Sequence, residues 1–421
     1  MKVKKIMIAS FLGLFSLGLN AQGISLDFLQ EKAKSNNPQT ALLPLIQEAT
    51  NLQIKQLQGA YLPQASLGGQ ATWQSDVTSL PISLPNIEIA PPPNDQYKVT
   101  LDIQQSIWDG GITSSQKKIA TSQGLVEAKS TELSLLKVEE QVNSLFFGAI
   151  LAKKQLNNVN ILLEDLNGKL KIAEAGLANG ILVKTDVLNL KAAQIEALQN
   201  KDGITMKLSG AMEALTILTG EAMNEATVFV VQPSIFDLNQ NQRPELDLLN
   251  LQQQTLGAQS DLIYSKYKPK VSLFATGGYG RPGLNFLSST FDTYFLGGVQ
   301  LKVPLSQLYN GGKYADLQQV KIGQLKLDQQ KANFEMMTDV QKASLTKEIE
   351  RIQHQLTSDD ELIEIRKTVK ETAEAQLANG VITSEAYLEI ANKENLANEM
   401  KILHEVQLLQ AKENLKTLLG Q

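Results

Sequence analysis

His354 and His404 carry the most versatile chemistry in this sequence, yet they lie fifty residues apart, neither has a second histidine at i+4, and the chain has no cysteine. A metal site or a nucleophilic triad needs such groups to converge, so each histidine reads as a solvated helix residue. The Gly-Gly and Asn-Gly pairs lack the glycine-rich context and the lysine of a phosphate loop. What remains is the chemistry of carboxylates, amines and amides on helices: hydrogen bonds, ion pairs and rings of charge. No enzyme activity, cofactor or metal is expected.

The elements that position such groups are announced by composition. Only 5% of the 421 residues are aromatic and 13 are proline, while Leu, Ala, Gln, Lys and Glu abound, which favours long helices. A net charge of -5 supplies no basic field for phosphates, so nucleic acid is not an expected partner. Lys2, Lys4 and Lys5 precede an apolar run from Ile6 to Leu19 and a small residue, Ala21, at a plausible cleavage point. That pattern reads as a secretory signal peptide over residues 1–22, and its apolar run is too short for a membrane anchor. With no cysteine there is neither a disulfide nor a thiol for lipid attachment. After residue 22 no stretch is apolar enough for a spanning helix, so any membrane contact must come from a folded surface.

The sequence repeats itself. AEAGLANGILVKTDVLNL begins at Ala173, and AEAQLANGVITSEAYLEI begins at Ala373. In the same order, Tyr61-Leu62-Pro63 is echoed by Tyr267-Lys268-Pro269, and Leu101-Asp102-Ile103 by Leu301-Lys302-Val303. Trp108-Asp109-Gly110-Gly111 is echoed by Tyr309-Asn310-Gly311-Gly312, and LTILTG from Leu215 by LKTLLG from Leu415. Five ordered pairs imply two tandem copies, over residues 23–220 and 243–421, joined by the aperiodic segment 221–242.

Within each copy the elements follow in one order. A helical pattern from about Gln39 or Arg243 is stopped by Pro63 or Pro269. Alternating strands follow, about 64–75 and 96–107 in the first copy and about 270–280 and 292–304 in the second. In Tyr97 to Gln104, odd positions are apolar and even ones polar, giving one greasy and one wet face. The connecting loops are residues 76–95, with Pro91-Pro92-Pro93, and 280–291. Gly110-Gly111 and Gly311-Gly312 let the backbone leave the sheet. Proline-free runs then extend from Ile112 to Ala178 and Gly312 to Ala378. Leu156, Val159, Leu163, Leu166, Leu170 and Leu177 step with coiled-coil spacing, as do Leu345, Ile349, Ile352, Leu356 and Ile363. Such a run extends about 100 Å at about 1.5 Å per residue. Asn179-Gly180 and Asn379-Gly380 then turn the chain into return helices ending at Gly220 and Gly420.

A greasy sheet face must be covered and its edges closed, and no apolar segment is left for either task. A membrane barrel solves both problems, but single-chain barrels start at about eight strands, so subunits must share one. A periplasmic coiled-coil scaffold protein that stays in solution is the alternative; it explains the rods but not the two-faced strands.

The duplicated order of helix, Tyr-x-Pro, strand pair, aromatic-[Asp/Asn]-Gly-Gly, long helix, Asn-Gly turn and return helix resembles the TolC family of outer-membrane efflux proteins over essentially the whole mature chain. The resemblance implies a mainly α fold with a β-barrel portion. Three chains would share a barrel of about twelve strands in the outer membrane, continued by a helical tunnel through the periplasm. Segment 221–242 would lie in the equatorial band around that tunnel. A passive duct for small molecules is implied, docked by a periplasmic adaptor and an energised inner-membrane transporter; one-step export of proteins or peptides is the other role of this architecture. By the same resemblance Glu371 and Glu374 would ring the periplasmic mouth and favour cations. A gating latch would join Lys367, with Arg366 adjacent, to Thr185 and Asp186, and would be weaker than one made by an arginine fork. Ala386 stands where the second copy's aspartate would be, with Glu385 one residue early. Gly180, Ile181, Leu182, Gly380, Val381 and Ile382 would form the tips that dock the adaptor.

Overall fold

The computed structural model describes residues 23–78, 91–233, 235–238, 240–286, 288–306, 309 and 311–421. The expected signal peptide, residues 79–90 of the first strand loop, and Asn310 of the second Gly-Gly run lie outside these. In chain order the elements are β1 (Ile24–Ser25), α1 (Leu26–Asn36), α2 (Leu42–Gln58), β2 (Gln64–Trp73), β3 (Asp95–Trp108), α3 (Ile112–Ala178), α4 (Lys184–Thr219), β4 (Phe229–Val230), α5 (Pro244–Lys266), β5 (Lys270–Arg281), β6 (Asp292–Lys302), α6 (Gly312–Ala378) and α7 (Ser384–Leu418). The chain divides into two compact units, and each takes segments from both sequence copies.

The first unit comprises Met1–Asn37, Lys137–Ile235 and Lys347–Asn414. The heptad-spaced residues of α3 supply its core: Val159, Leu163 and Leu166 are buried against Leu190, Ile204, Leu208 and Met212, while Leu156 and Leu170 pack at the margin. In the second copy the stripe is shallower, with Ile352 fully buried. α1 is started by Ser25, whose hydroxyl accepts from the Phe28 N–H. Its Leu29 and Ala33 pack with Val142, Phe146, Leu215 and Val406. Ile24 pairs in parallel with Phe229, tying the segment between the copies to the chain's N-terminal stretch.

His404 corrects an expectation. It is 6% exposed rather than solvated, and its Nδ1 lies 2.6 Å from Asp359 Oδ2. α7 turns this position toward α6, so the imidazole fills core space while the buried carboxylate satisfies its polar edge. His354 is exposed, as expected.

The second unit comprises Pro38–Leu136, Phe236–Thr346 and Leu415–Gln421. Its centre is a four-stranded antiparallel sheet in the order β2-β3-β5-β6. Opposed residues in an antiparallel pair share a face. The register therefore puts Leu67, Leu101, Gly277 and Phe295 on one side, and Gly68, Thr100, Gly278 and Tyr294 on the other. The apolar side is bare: Leu67, Trp73, Phe295 and Val299 are each at least 67% exposed. β2 and β6 each lack a neighbour on their outer edge among the described residues. No described helix is long and apolar enough to cross a membrane.

Candidate functional site

The two Asn-Gly turns are built alike. At the first, the Ile181 N–H donates to the Gly176 carbonyl at 2.8 Å and the Gly180 N–H to Leu177 at 3.1 Å; at the second, Val381 donates to Gln376 at 2.8 Å and Gly380 to Leu377 at 3.0 Å. These are Schellman closures, which need a left-handed residue, and Gly180 and Gly380 have φ of 75° and 69°. The turns expose Ile181 and Val183 in the first copy and Val381 in the second, and fold one aliphatic residue inward: Leu182 lies on Gly176, and Ile382 packs with Ala373, Tyr387 and Ala391. Of the six expected docking residues, then, Leu182 and Ile382 belong mainly to the interior of the tips.

Asp186 joins the two copies. Its Oδ2 accepts from the Val183 N–H at the start of α4, at 3.3 Å. Its Oδ1 accepts from the Ser384 hydroxyl at 2.7 Å and the Ser384 N–H at 3.2 Å. Ser384 opens α7, so the carboxylate also meets the positive end of that helix. The Ser384 hydroxyl bond, foremost, and the two N–H bonds hold the Asp186 carboxyl below the usual carboxylate range against the opposing effect of burial. Thr185 beside it is exposed. Asp186 is not bonded to Lys367 or Arg366 within the chain; Lys367 is exposed, Arg366 half-buried, and neither has an ion-pair partner among the described residues.

Behind the turns lies a charge cluster. The Tyr387 hydroxyl donates to Asp165 Oδ2 at 3.0 Å and reaches Glu374 Oε1 at 3.5 Å. Lys169 lies 3.3 Å from Glu374 and stands over the Tyr387 ring, while Lys370 bridges Asp165 at 3.1 Å and Glu394 at 3.6 Å. Burial, then the neighbouring Asp165 and Glu374 charges, push the Tyr387 phenol far up, so it remains a donor. Burial would lower Lys370, but Asp165, Glu394 and Glu374 outweigh it and raise it. The expected carboxylate pair is thus split in its surroundings: Glu374 is tied into the cluster, and Glu371 is exposed. A cavity of about 230 Å³ lies between the turns, walled by Leu182, Leu190 and Leu377 and by Lys169, Glu374 and Ser384.

Sequence reasoning missed Ser384, Tyr387, Asp165, Lys169 and Lys370. Their sign is a difference between the copies at the two-hundred-residue offset: Ser384 answers Lys184, Tyr387 answers Val187, and Asp165, Lys169 and Lys370 answer Ile365, Val369 and Leu170. Asp186 against Ala386 belongs to the same set.

In the second unit, the Tyr-x-Pro and Trp-Asp-Gly-Gly runs meet. The Tyr61 hydroxyl donates to Asp109 Oδ1 at 2.8 Å, as does the Gly111 N–H at 2.9 Å, and the Thr113 N–H donates to Oδ2 at 2.7 Å. Burial alone would raise the Asp109 carboxyl, but bonds from Thr113, Tyr61 and Gly111 hold it at about 2. Gly110 and Gly111 are left-handed, and a Cβ on Gly110 would lie 2.9 Å from Lys268 Cβ and from the Ser265 carbonyl. Gly111 and Gly311 each accept the first hydrogen bond of the helix that follows, from Ser115 and Ala315; Gly312 opens α6. Pro63 and Pro269 immediately precede β2 and β5.

Residues 29–221 match the family described as outer membrane efflux protein. No curated relative matches the chain. Among solved structures it is similar to the outer membrane protein VceC from Vibrio cholerae, with TM-score 0.70 and 16% identity over 94% of this chain and 96% of that one. It is similar to CusC, with TM-score 0.72 and 15% identity over 94% and 91% of the two chains. The open state of the MtrE outer membrane channel of Neisseria gonorrhoeae gives TM-score 0.67 and 14% identity over 94% and 88%. At these identities what is shared is the fold, mainly helical with a small strand portion.

Proposed function

We propose that this chain, whose first repeat matches the outer membrane efflux protein family and whose fold is that of outer-membrane channels, is a passive export duct of the outer membrane. The observation that carries the reading is the sheet: one face apolar and bare, one face polar, and both edges open among the described residues. Four strands cannot close a barrel, whereas three copies supply enough strands to close one and remove every edge. The apolar face then meets lipid and the polar face lines the lumen.

The helical hairpins serve the periplasmic end. Exposed Ile181 and Val381 at the tips give a periplasmic adaptor apolar contacts, and an inner-membrane transporter supplies the energy. Lys367 and Arg366, without an ion-pair partner among the described residues, are the cations available to Asp186 of a neighbouring copy; a carboxylate has acceptor sites left after the bonds it accepts from Ser384 and Val183. Glu371, exposed, and Glu374 behind it set the charge of the mouth. The cargo is a small solute passed on by the transporter.

Fractionation with crosslinking tests this directly. The expected result is a trimer in the outer-membrane fraction that conducts ions in planar bilayers. A monomer in the periplasmic supernatant overturns it.

A further inference from the structure

In the second unit the helices follow the order of the strands and, like them, leave two surfaces unfinished. Thr50 of α2 lies on Gly124 of α3, Ser115 of α3 meets Ser265 of α5 at 3.2 Å, and Leu256 of α5 lies on Gly323 of α6. The row is therefore α2-α3-α5-α6, beside strands in the order β2-β3-β5-β6. The inner seam, α3 with α5, is closed: Ser115, Ala258 and Ser265 are buried, and Lys118 pairs with Asp261 at 3.0 Å and Lys129 with Asp247 at 3.3 Å. The outer helices are bare on their far sides. α2 buries none of its residues, and Leu42, Leu45, Ala49 and Leu52, at heptad spacing, are exposed. On α6, Gly323 faces α5, while Ile322, Leu325 and Met336, round the other side of the helix, are exposed.

The duplication identifies what such surfaces fit. The two long helices begin alike, Ile112 answering Gly312, and the two short ones end alike, with Pro63 answering Pro269. A heptad on from the contact of Ser115 with Ser265, the antiparallel inner seam brings Ser122 level with Ala258. Their counterparts are Ile322 and Leu52, one on each bare stripe. Lys118 and Lys129 are answered by the neutral Gln318 and Gln329, so Lys55, which stands in place of Asp261, meets an amide rather than a like charge. The outer surfaces thus keep the spacing of the inner seam, with its small residues enlarged to apolar ones and its lysines neutralised.

We infer that α2 of one copy packs antiparallel along α6 of a second copy, with Leu52 against Ile322 and Lys55 against Gln318, repeating between chains the α3–α5 seam within one. α2 and α6 stand at opposite ends of the row, so the occupant comes from another chain. The contact is continuous with the sheet: β2 follows α2 and β6 precedes α6, and these are the strands whose outer edges are open among the described residues. The assignment rests on the three-chain reading of the duct and gives that assembly its register.

Disulfide trapping tests the register in purified full-length protein in detergent micelles. Leu52→Cys combined with Ile322→Cys should, on oxidation, link chains up to three. Leu52→Cys combined with Met336→Cys should not, because Met336 lies about 21 Å further along α6 at about 1.5 Å per residue, and a disulfide needs Cα atoms within about 7 Å. Independently, Leu52→Asp should raise the dissociation constant of the assembly at least about tenfold in sedimentation, by placing a carboxylate in an apolar seam. Asn51→Asp, off the stripe and still able to accept from Gln47, should leave it unchanged. A parent protein that sediments as a single chain overturns the duct and the seam together. A three-chain parent overturns the seam alone if Ile322 gives no link, if Met336 links as well as Ile322, or if Leu52→Asp assembles as tightly as the parent.

Discussion

Single carboxylates do most of the specific work in this chain, and each does it through bonds that require the charged form. Asp109 falls from its ordinary 3.8 to about 2. A depressed carboxylate contributes stability that is whole above its unfolded value and lost as pH falls through its folded value. Asp109→Asn should therefore unfold at lower denaturant than the parent at neutral pH, with the gap closing between about pH 4 and about pH 2; a gap independent of pH would count against the staple. Asp186 is shifted the same way, so its bond to Ser384 should persist through mildly acid pH and fail only below the usual carboxylate range. Ser384→Ala should increase amide exchange at the start of α7, and Asp186→Lys should do so more strongly and raise leak conductance in bilayers. Unchanged conductance in Asp186→Lys would remove the gating role. Replacing Glu371 and Glu374 together by glutamine should lower cation preference, read as a shift in reversal potential.

At the level of elements, the turns are where backbone chemistry is least forgiving. Gly180→Ala and Gly380→Ala force a Cβ into a left-handed conformation at a cost of about 1 kcal/mol each. Gly110→Ala adds close approach to Lys268 and Ser265, so its thermal midpoint should drop further than either. The long helices and two-faced strands were legible because periods of 3.5 and 2 persist over many residues, and Pro63 and Gly110 punctuate them. α1 was not, since eleven residues after a serine cap carry too few turns for a period to stand out. The charge cluster was hidden for another reason. Asp165, Lys370 and Tyr387 lie on three different helices, and only packing brings them within 3.1 Å. His404 misled because a polar residue in a charged helix looks solvated until its partner, forty-five residues away, is seen.

For the whole molecule, the open sheet edges make a prediction the chain is suited to test, because it contains no cysteine to confuse it. A chain carrying two introduced cysteines, one on β2 at Ser66 and one on β6 at Gln300, should on oxidation give a ladder that stops at three chains. A ladder that continues beyond three, or none, excludes a closed three-chain barrel. The bonds between unlike positions of the two copies carry a further consequence, one of symmetry. Were both copies identical, a ring of their hairpins would present the same contact at every seam. Here Asp186 meets Ser384, and Tyr387 meets Asp165, only where the first hairpin of a chain adjoins the second. In the proposed ring of three chains these bonds would fasten each seam within a chain, whereas each seam between chains would rest on the pairing proposed for Asp186 with Lys367 or Arg366 of a neighbouring copy. Such a ring would have threefold rather than sixfold symmetry, with two unlike kinds of seam alternating around its mouth.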